Sequence, residues 1–184
     1  MSLFTYYLMT ARRHSGPDYD RHFTELGYSV FGILYLGFLP LFLPLIRSQT
    51  GGQHWILIFF LCVWAGDTGA YFVGKKFGRR KLYPEVSPKK TIEGALGGLL
   101  AGWLVILTYK FAAFRELSVF GTAVIALTVG ISSQVGDLCE SLLKRAFHTK
   151  DSGHILPGHG GLLDRFDGVV FSLPVMYMCV RFFA

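Results

Sequence analysis

Five apolar blocks divide this 184-residue chain, at residues 28–46, 54–74, 92–109, 117–143 and 168–184. Each is long enough to span, or nearly span, a hydrocarbon core of ~30 Å at about 1.5 Å per helical residue. Inside hydrocarbon a segment has to satisfy its own backbone N–H and C=O groups, so runs of this kind fold as helices. The expected fold class is therefore all-α: a polytopic integral membrane helical bundle with about five transmembrane helices. Composition agrees, since 52% of the residues are hydrophobic and only 16% charged, whereas a soluble domain carries about 25% charge.

A shorter apolar stretch at 3–11 reads as an interfacial anchor or as the tail of a preceding helix. The expected organisation is an N-terminal cytoplasmic or interfacial segment, 1–27, followed by a membrane-embedded domain, 28–184, that carries a polar loop at 144–167. No basic start leads into an apolar core with a small-residue cleavage site, so the N-terminus does not read as a signal peptide. Cys62, Cys139 and Cys179 fall within apolar blocks without a CxxC spacing. They read as buried free thiols rather than a disulfide framework.

The basic residues give the blocks a direction. If the helices alternate, fourteen of the eighteen Lys and Arg fall in the segments 11–27, 75–91 and 144–167. Only Arg47, Lys110, Arg115 and Arg181 lie on the other side. The positive-inside rule makes the crowded side cytoplasmic. The formal charge of +6 thus belongs to loops facing anionic headgroups or phosphates, and nucleic acid is not an expected partner. Glycines at 94, 97, 98 and 102 favour close helix packing over an open ligand space. Trp55, Trp64, Tyr71 and Tyr83 read as interface or packing aromatics.

Two acids sit inside the blocks, each after a glycine: Gly66-Asp67 and Gly136-Asp137. Both lie roughly 10–12 Å inside the cytoplasmic helix ends. An ionised Asp turned to lipid at that depth costs about 2–3 kcal/mol or more. Two at one level point to a shared, water-accessible cavity. For Asp67 a structural ion pair and a functional role are equally well supported. Asp137 has better company, with Glu140, Ser141 and Lys144 on the same helical face.

Residues 141–167, SLLKRAFHTKDSGHILPGHGGLLDRFD, gather charges and imidazoles between two apolar blocks. Lys150 and Asp151 precede a PGHGG turn, and Asp164 and Asp167 follow it three residues apart. Carboxylates of this kind suit a hard divalent cation, Mg²⁺ above all. Glycines flanked by Lys and Arg suit phosphate oxygens. His148, His154 and His159 are irregularly spaced, with no Cys among them, and so make a poor zinc set; His159 reads better as a phosphate donor or as an orienter of Asp164. No P-loop is present. A second polar cluster covers Ser87, Lys89, Lys90, Thr91 and Glu93. Pro88 and the neighbouring hydroxyls mark a helix start with Glu93 in its first turn, and Lys89 and Lys90 stand where they could grip phosphate.

With these residues in view, the chain resembles the phosphatidate cytidylyltransferase (CDP-diglyceride synthase) family. Ser141, Lys144, Arg145, Lys150, Asp151, His159, Gly160, Gly161, Asp164, Arg165 and Asp167 fill that family's signature. Asp67 to Tyr71, Ser87 to Thr91 with Glu93-Gly94, and Gln134 to Asp137 resemble its upstream elements in order. The resemblance implies Mg²⁺-dependent transfer of a cytidylyl group from CTP to phosphatidic acid, giving CDP-diacylglycerol and pyrophosphate. It implies Asp137, Asp164, Glu140 and Asp167 as metal ligands, with room for a second cation, and Asp137, Asp164, Lys144 and Asp167 as the catalytic set. Ser87, Lys89, Lys90, Arg145, Lys150, His159 and Arg165 would bind substrate phosphates; Lys89 and Lys90 fit either the triphosphate or the lipid phosphate.

The resemblance further implies a protein integral to the cell's inner or plasma membrane, with its site facing the cytoplasm; a homodimer is compatible with it. Members of the family usually carry further hydrophobic helices before the part matching Tyr28, where this sequence has only residues 1–11 as an apolar element. A fragment, a late start and a short homologue all fit that difference. The competing activities are a CTP-dependent polyprenol- or phytol-type lipid kinase, an ion-path transport protein and an inactive truncated homologue.

Overall fold

A computed structural model describes residues 19–146 and 163–184, with side chains described over 24–146 and 166–184. The chain falls into two compact units, one ending at Pro40 and one beginning at Leu41.

The first unit contains α1 (Tyr19–Gly32), which passes into a π-helical segment at Ile33–Phe38; a 3-10 turn at Leu39–Leu41 straddles the division. The widening follows from Pro40, which has no N–H to give and crowds the preceding turn. The Leu39 N–H reaches back to Leu34 O, the five-residue step of a π-helix.

The second unit holds α2 (Phe42–Arg47), α3 (Gly52–Phe77), β1 (Lys81–Tyr83), β2 (Ser87–Thr91), α4 (Ile92–Ala113), α5 (Val119–Ala146) and α6 (Leu163–Phe183). Among the described residues, five segments are long and apolar enough to cross a membrane: Thr24–Arg47, Gly52–Phe77, Ile92–Ala113, Val119–Ala146 and Phe166–Phe183. The protein is thus a mostly helical, polytopic membrane protein, as the hydropathy pattern requires. To this the structure adds one element that an all-α reading lacks, an antiparallel ribbon with Lys81 opposite Thr91 and Tyr83 opposite Ser87.

Pro88 therefore lies in a strand and not at a helix start. Its ring biases Ser87 toward extended backbone, and a two-stranded ribbon has open edges that tolerate a missing N–H. The hydroxyl that starts α4 belongs to Thr91, whose backbone is extended and whose Oγ1 accepts from the Gly94 N–H at 3.1 Å. Glu93 occupies the first turn, as expected. Its carboxylate accepts from the backbone N–H of Arg79 at 3.0 Å and of Arg80 at 3.2 Å, tying the entry to the ribbon onto the head of α4.

Packing of α3 against α4 depends on glycine. A β-carbon at Gly98 would stand 2.7 Å from Gly66 O, and one at Gly94 would stand 2.8 Å from Ala70 O. One turn farther along, Gly102 faces Cys62 O. The glycine row at 94–102 is thus chiefly a packing seam, with Gly94 also reaching a cavity wall. Elsewhere in this unit the core is mainly apolar. Trp55, Phe59, Ile106, Ile125, Val129, Met176 and Val180 are all essentially inaccessible. Trp55 packs edge-on against Phe114 and donates to Thr50 O. Cys62, Cys139 and Cys179 are free thiols, and Cys139 is only partly buried.

Candidate functional site

Both Gly-Asp pairs lie at helix contacts that carry the acid to the site, although only at Gly136 does the glycine itself leave no room for a side chain. Gly66 lies against Gly98 on α4, which places Asp67 on the wall of a cavity of about 430 Å³. Gly136 lies against α6, where a β-carbon would stand 3.1 Å from Asp167 O and nearer still to Phe171. Asp137, the next residue, lines the same cavity. The matched depths read from the sequence therefore correspond to a shared space.

The ribbon brings cations to this space. Lys89 and Lys90 line it from β2, and Lys90 is ion-paired with Asp137. From α3, Tyr71 and Lys75 join Asp67 at successive four-residue steps. The Lys75 ammonium lies 5.8 Å from the centre of the Tyr71 ring. From α5, Gln134 lines the cavity one turn before Asp137 and donates through Nε2 to Ala95 O at 3.1 Å. That bond ties α5 to α4 at the cavity wall.

Beyond Asp137 the acids continue along α5 and onto α6. Glu140 is buried, at 2% exposure, and pairs with Lys144 one turn on at 2.5 Å. Asp167, at the head of α6, accepts from the Gly168 N–H at 2.7 Å through Oδ1. Asp167 feels the charges of Asp137, Lys144 and Lys90; Asp67 feels those of Asp137 and Lys90. Asp137 and Lys90 are thus common to both ends of one electrostatic cluster.

Of the residues expected at the site, Asp137, Lys89 and Lys90 line the cavity, and Asp167, Glu140 and Lys144 extend from it. Arg145 is exposed in the last turn of α5, and Ser87 starts β2 outside the cavity lining. Asp164 and Arg165 fall in the first turn of α6, and their side chains lie outside the described residues, as do Lys150 and His159. Tyr71 was expected at an interface or in packing, but the structure puts it on the cavity wall. Tyr71, Lys75 and Gln134 were not singled out as site residues. The signal for them was helical spacing from the two acids: positions 67, 71 and 75 form one stripe, and 134 and 137 another.

Among the described residues, no group of three or more His, Cys, Asp and Glu side chains is arranged to hold a metal ion. The local chemistry nevertheless suits a hard cation. The acids are carboxylates, and Asp137 interacts with a further carboxylate on each side. The lysines would serve phosphate oxygens as point charges.

Fold and cavity together define a polytopic membrane protein whose charged site is framed by its spans and one β-ribbon. The chain belongs to the Cytidylyltransferase family, whose model matches residues 1–183. It is 41% identical over 166 residues to a protein of Bacillus subtilis (strain 168) named phosphatidate cytidylyltransferase, covering 88% of this chain and 61% of that protein. Proteins of the same name from Staphylococcus haemolyticus (strain JCSC1435) and Staphylococcus aureus (strain COL) are 40% and 44% identical. Those matches cover 95% and 84% of this chain and 64% and 58% of theirs. The chain spans about three fifths of the length of these curated relatives.

Proposed function

We propose that this chain transfers a cytidylyl group from CTP to phosphatidic acid, releasing pyrophosphate and forming CDP-diacylglycerol. The observation that carries this reading is the cavity between α3, β2, α4 and α5, which Lys89, Lys90, Asp67 and Asp137 line together and where Lys90 pairs with Asp137. The names of the relatives point the same way.

The chemistry asks little of a general base. A phosphatidate oxygen is already ionised at neutral pH, so attack on the α-phosphorus needs alignment of two anions and neutralisation of the leaving pyrophosphate. Lys89 and Lys90 would draw phosphate oxygens into the cavity, and Lys144, Arg145 and the cations of the 144–167 segment would receive the polyphosphate. Mg²⁺ would be held by Asp137 and Asp164, with Glu140 and Asp167 in support; when bound it would offset phosphate charge. The acids that act on Asp137, Asp67 and Asp167, fit that ion in kind, both being carboxylates. Gln134 holds α4 and α5 in register so that Asp137 and the ribbon lysines keep their spacing.

Membrane placement fits as well. With the basic segments on the cytoplasmic side, CTP arrives from the cytosol and the lipid phosphate from the headgroup layer. Acids roughly 10 Å below the helix ends can meet both.

Doubly labelled CTP tests the reaction. Purified chain reconstituted with phosphatidic acid should move the α-phosphorus into lipid and release the γ-phosphorus in pyrophosphate. Transfer of the γ-phosphorus to a lipid alcohol would identify a kinase instead. Transfer of neither label would remove the reading for this chain.

A further inference from the structure

Among the described residues that line the polar cavity, only Tyr71 and Leu82 are large and apolar; the other apolar ones are alanines and glycines. Tyr71 stands on α3 one turn beyond Asp67, and Leu82 is the middle residue of β1. A tyrosine near the end of a span commonly anchors its helix at the membrane interface. This one instead belongs to the stripe of residues 67, 71 and 75 that walls the cavity. Its side chain is 61% exposed, so packing leaves most of the ring open. Phe72 lies 5.4 Å away between ring centres at 74°, and the Lys75 ammonium is 5.8 Å from the Tyr71 centre. Both are exposed residues of α3 itself and close no lid over the ring.

We propose that Tyr71 and Leu82 hold the nucleobase of CTP, with the Tyr71 ring as the surface on which the base stacks; the inference rests on the function proposed above. The α-phosphorus carries two groups that need separate arms of the site, the departing pyrophosphate and the nucleoside. The Lys90–Asp137 pair marks the centre, since Asp67 and Asp167 each interact with it. On the Asp167 side stand Glu140 and Lys144, an arm of acids and cations suited to a metal and polyphosphate. On the Asp67 side stand Lys75, Tyr71 and Leu82, where one acid and one cation balance and the rest is apolar. That arm suits the uncharged, flat part of the nucleotide. It also runs toward the end of α3 and the ribbon, out of the apolar span, where a soluble nucleotide enters and acyl chains do not. Every base offers a π-face to an aromatic ring, and an apolar side chain can cover its other face. Tyr71 thus sets the affinity for the nucleotide and leaves that for the lipid to other residues.

The test irradiates 5-iodo-CTP, whose base crosslinks to a stacked aromatic ring, with the full chain reconstituted in phosphatidylcholine bilayers. Mass spectrometry should place the crosslink at Tyr71, and excess CTP should remove it, whereas excess phosphatidic acid should not. Tyr71→Leu should lose the crosslink and raise KM for CTP roughly tenfold, the loss expected for one base–aromatic stack. Its KM for phosphatidic acid and its melting temperature should be unchanged. Tyr71→Phe keeps the ring and should restore both the crosslink and the KM, and Leu82→Ala should raise KM for CTP in the same direction. A crosslink elsewhere, a crosslink indifferent to CTP, or a Tyr71→Leu effect confined to phosphatidic acid would each overturn the proposal, the last by giving this arm to the lipid. If no α-label reaches lipid while the CTP-competed crosslink at Tyr71 persists, the proposed reaction falls and the base site stands. If α-label is transferred and Tyr71→Leu leaves KM for CTP unchanged, the base assignment falls alone.

Discussion

The Lys90 ammonium on β2 is ion-paired with the Asp137 carboxylate on α5, closing the charge of one on the other across the cavity. Within a membrane protein such a pair lets each group sit among apolar helices without an unbalanced charge. On the proposed function it is also the contact that ligands would exchange: phosphate oxygens would take over Lys90, leaving Asp137 able to hold a cation.

Removing the lysine should therefore affect activity more than folding. The two side chains are 26% and 36% exposed, and pairs that accessible are worth about 0–1 kcal/mol. Lys90→Met should leave the melting temperature in detergent nearly unchanged. It should raise KM for an anionic substrate roughly tenfold or more, the loss expected for a charge-assisted hydrogen bond; Lys90→Arg should recover part of it. Steady-state kinetics against CTP and phosphatidic acid separately would also show which phosphate the ribbon holds.

Glu93 positions the ribbon through the backbone of Arg79 and Arg80 without lining the cavity. Glu93→Ala should speed amide hydrogen exchange across 79–91 and raise KM, leaving exchange in the buried half of α5 unaffected. Glu93→Gln, which keeps an acceptor, should fall between the two. Equal exchange in the wild type and Glu93→Ala would show that the ribbon is held some other way.

The α3–α4 seam tolerates no side chain at position 98. A β-carbon there would stand 2.7 Å from a backbone oxygen, so Gly98→Val should force the helices apart and destabilise the protein by about 1–3 kcal/mol. Because that seam carries Asp67 toward Asp137, activity should fall as well. Thermal unfolding in detergent measures the first effect, and labelled CTP the second.

Much of this was legible in the residues. Apolar block length specified the spans, and the placement of Asp67 and Asp137 specified a common cavity. The ribbon was not legible, because two strands of three and five residues carry too few positions for an alternating pattern, and Ser87-Pro88 also reads as a helix start. Tyr71 and Lys75 were obscured for a related reason: on an apolar helix an aromatic and a terminal lysine are ordinary interface residues. What distinguishes them is the position of α4 and β2 beside them, and that depends on glycine contacts far away in sequence. The π-helical break at Ile33–Phe38 was foreshadowed only by Pro40.

Chelation addresses the metal. EDTA should abolish nucleotide transfer and Mg²⁺ should restore it. A bound Mn²⁺ signal in electron paramagnetic resonance should be present in the wild type and weakened in Asp167→Asn. Full activity after exhaustive chelation would exclude a divalent cation from the reaction.

The most direct test of the cavity as the place of reaction is the transfer of α-labelled phosphorus by purified Asp137→Asn, compared with the wild type at equal membrane insertion. The account predicts a fall of about a hundredfold or more, the scale set by losing one preorganised charged group at a reacting phosphate. Transfer near the wild-type rate would contradict it.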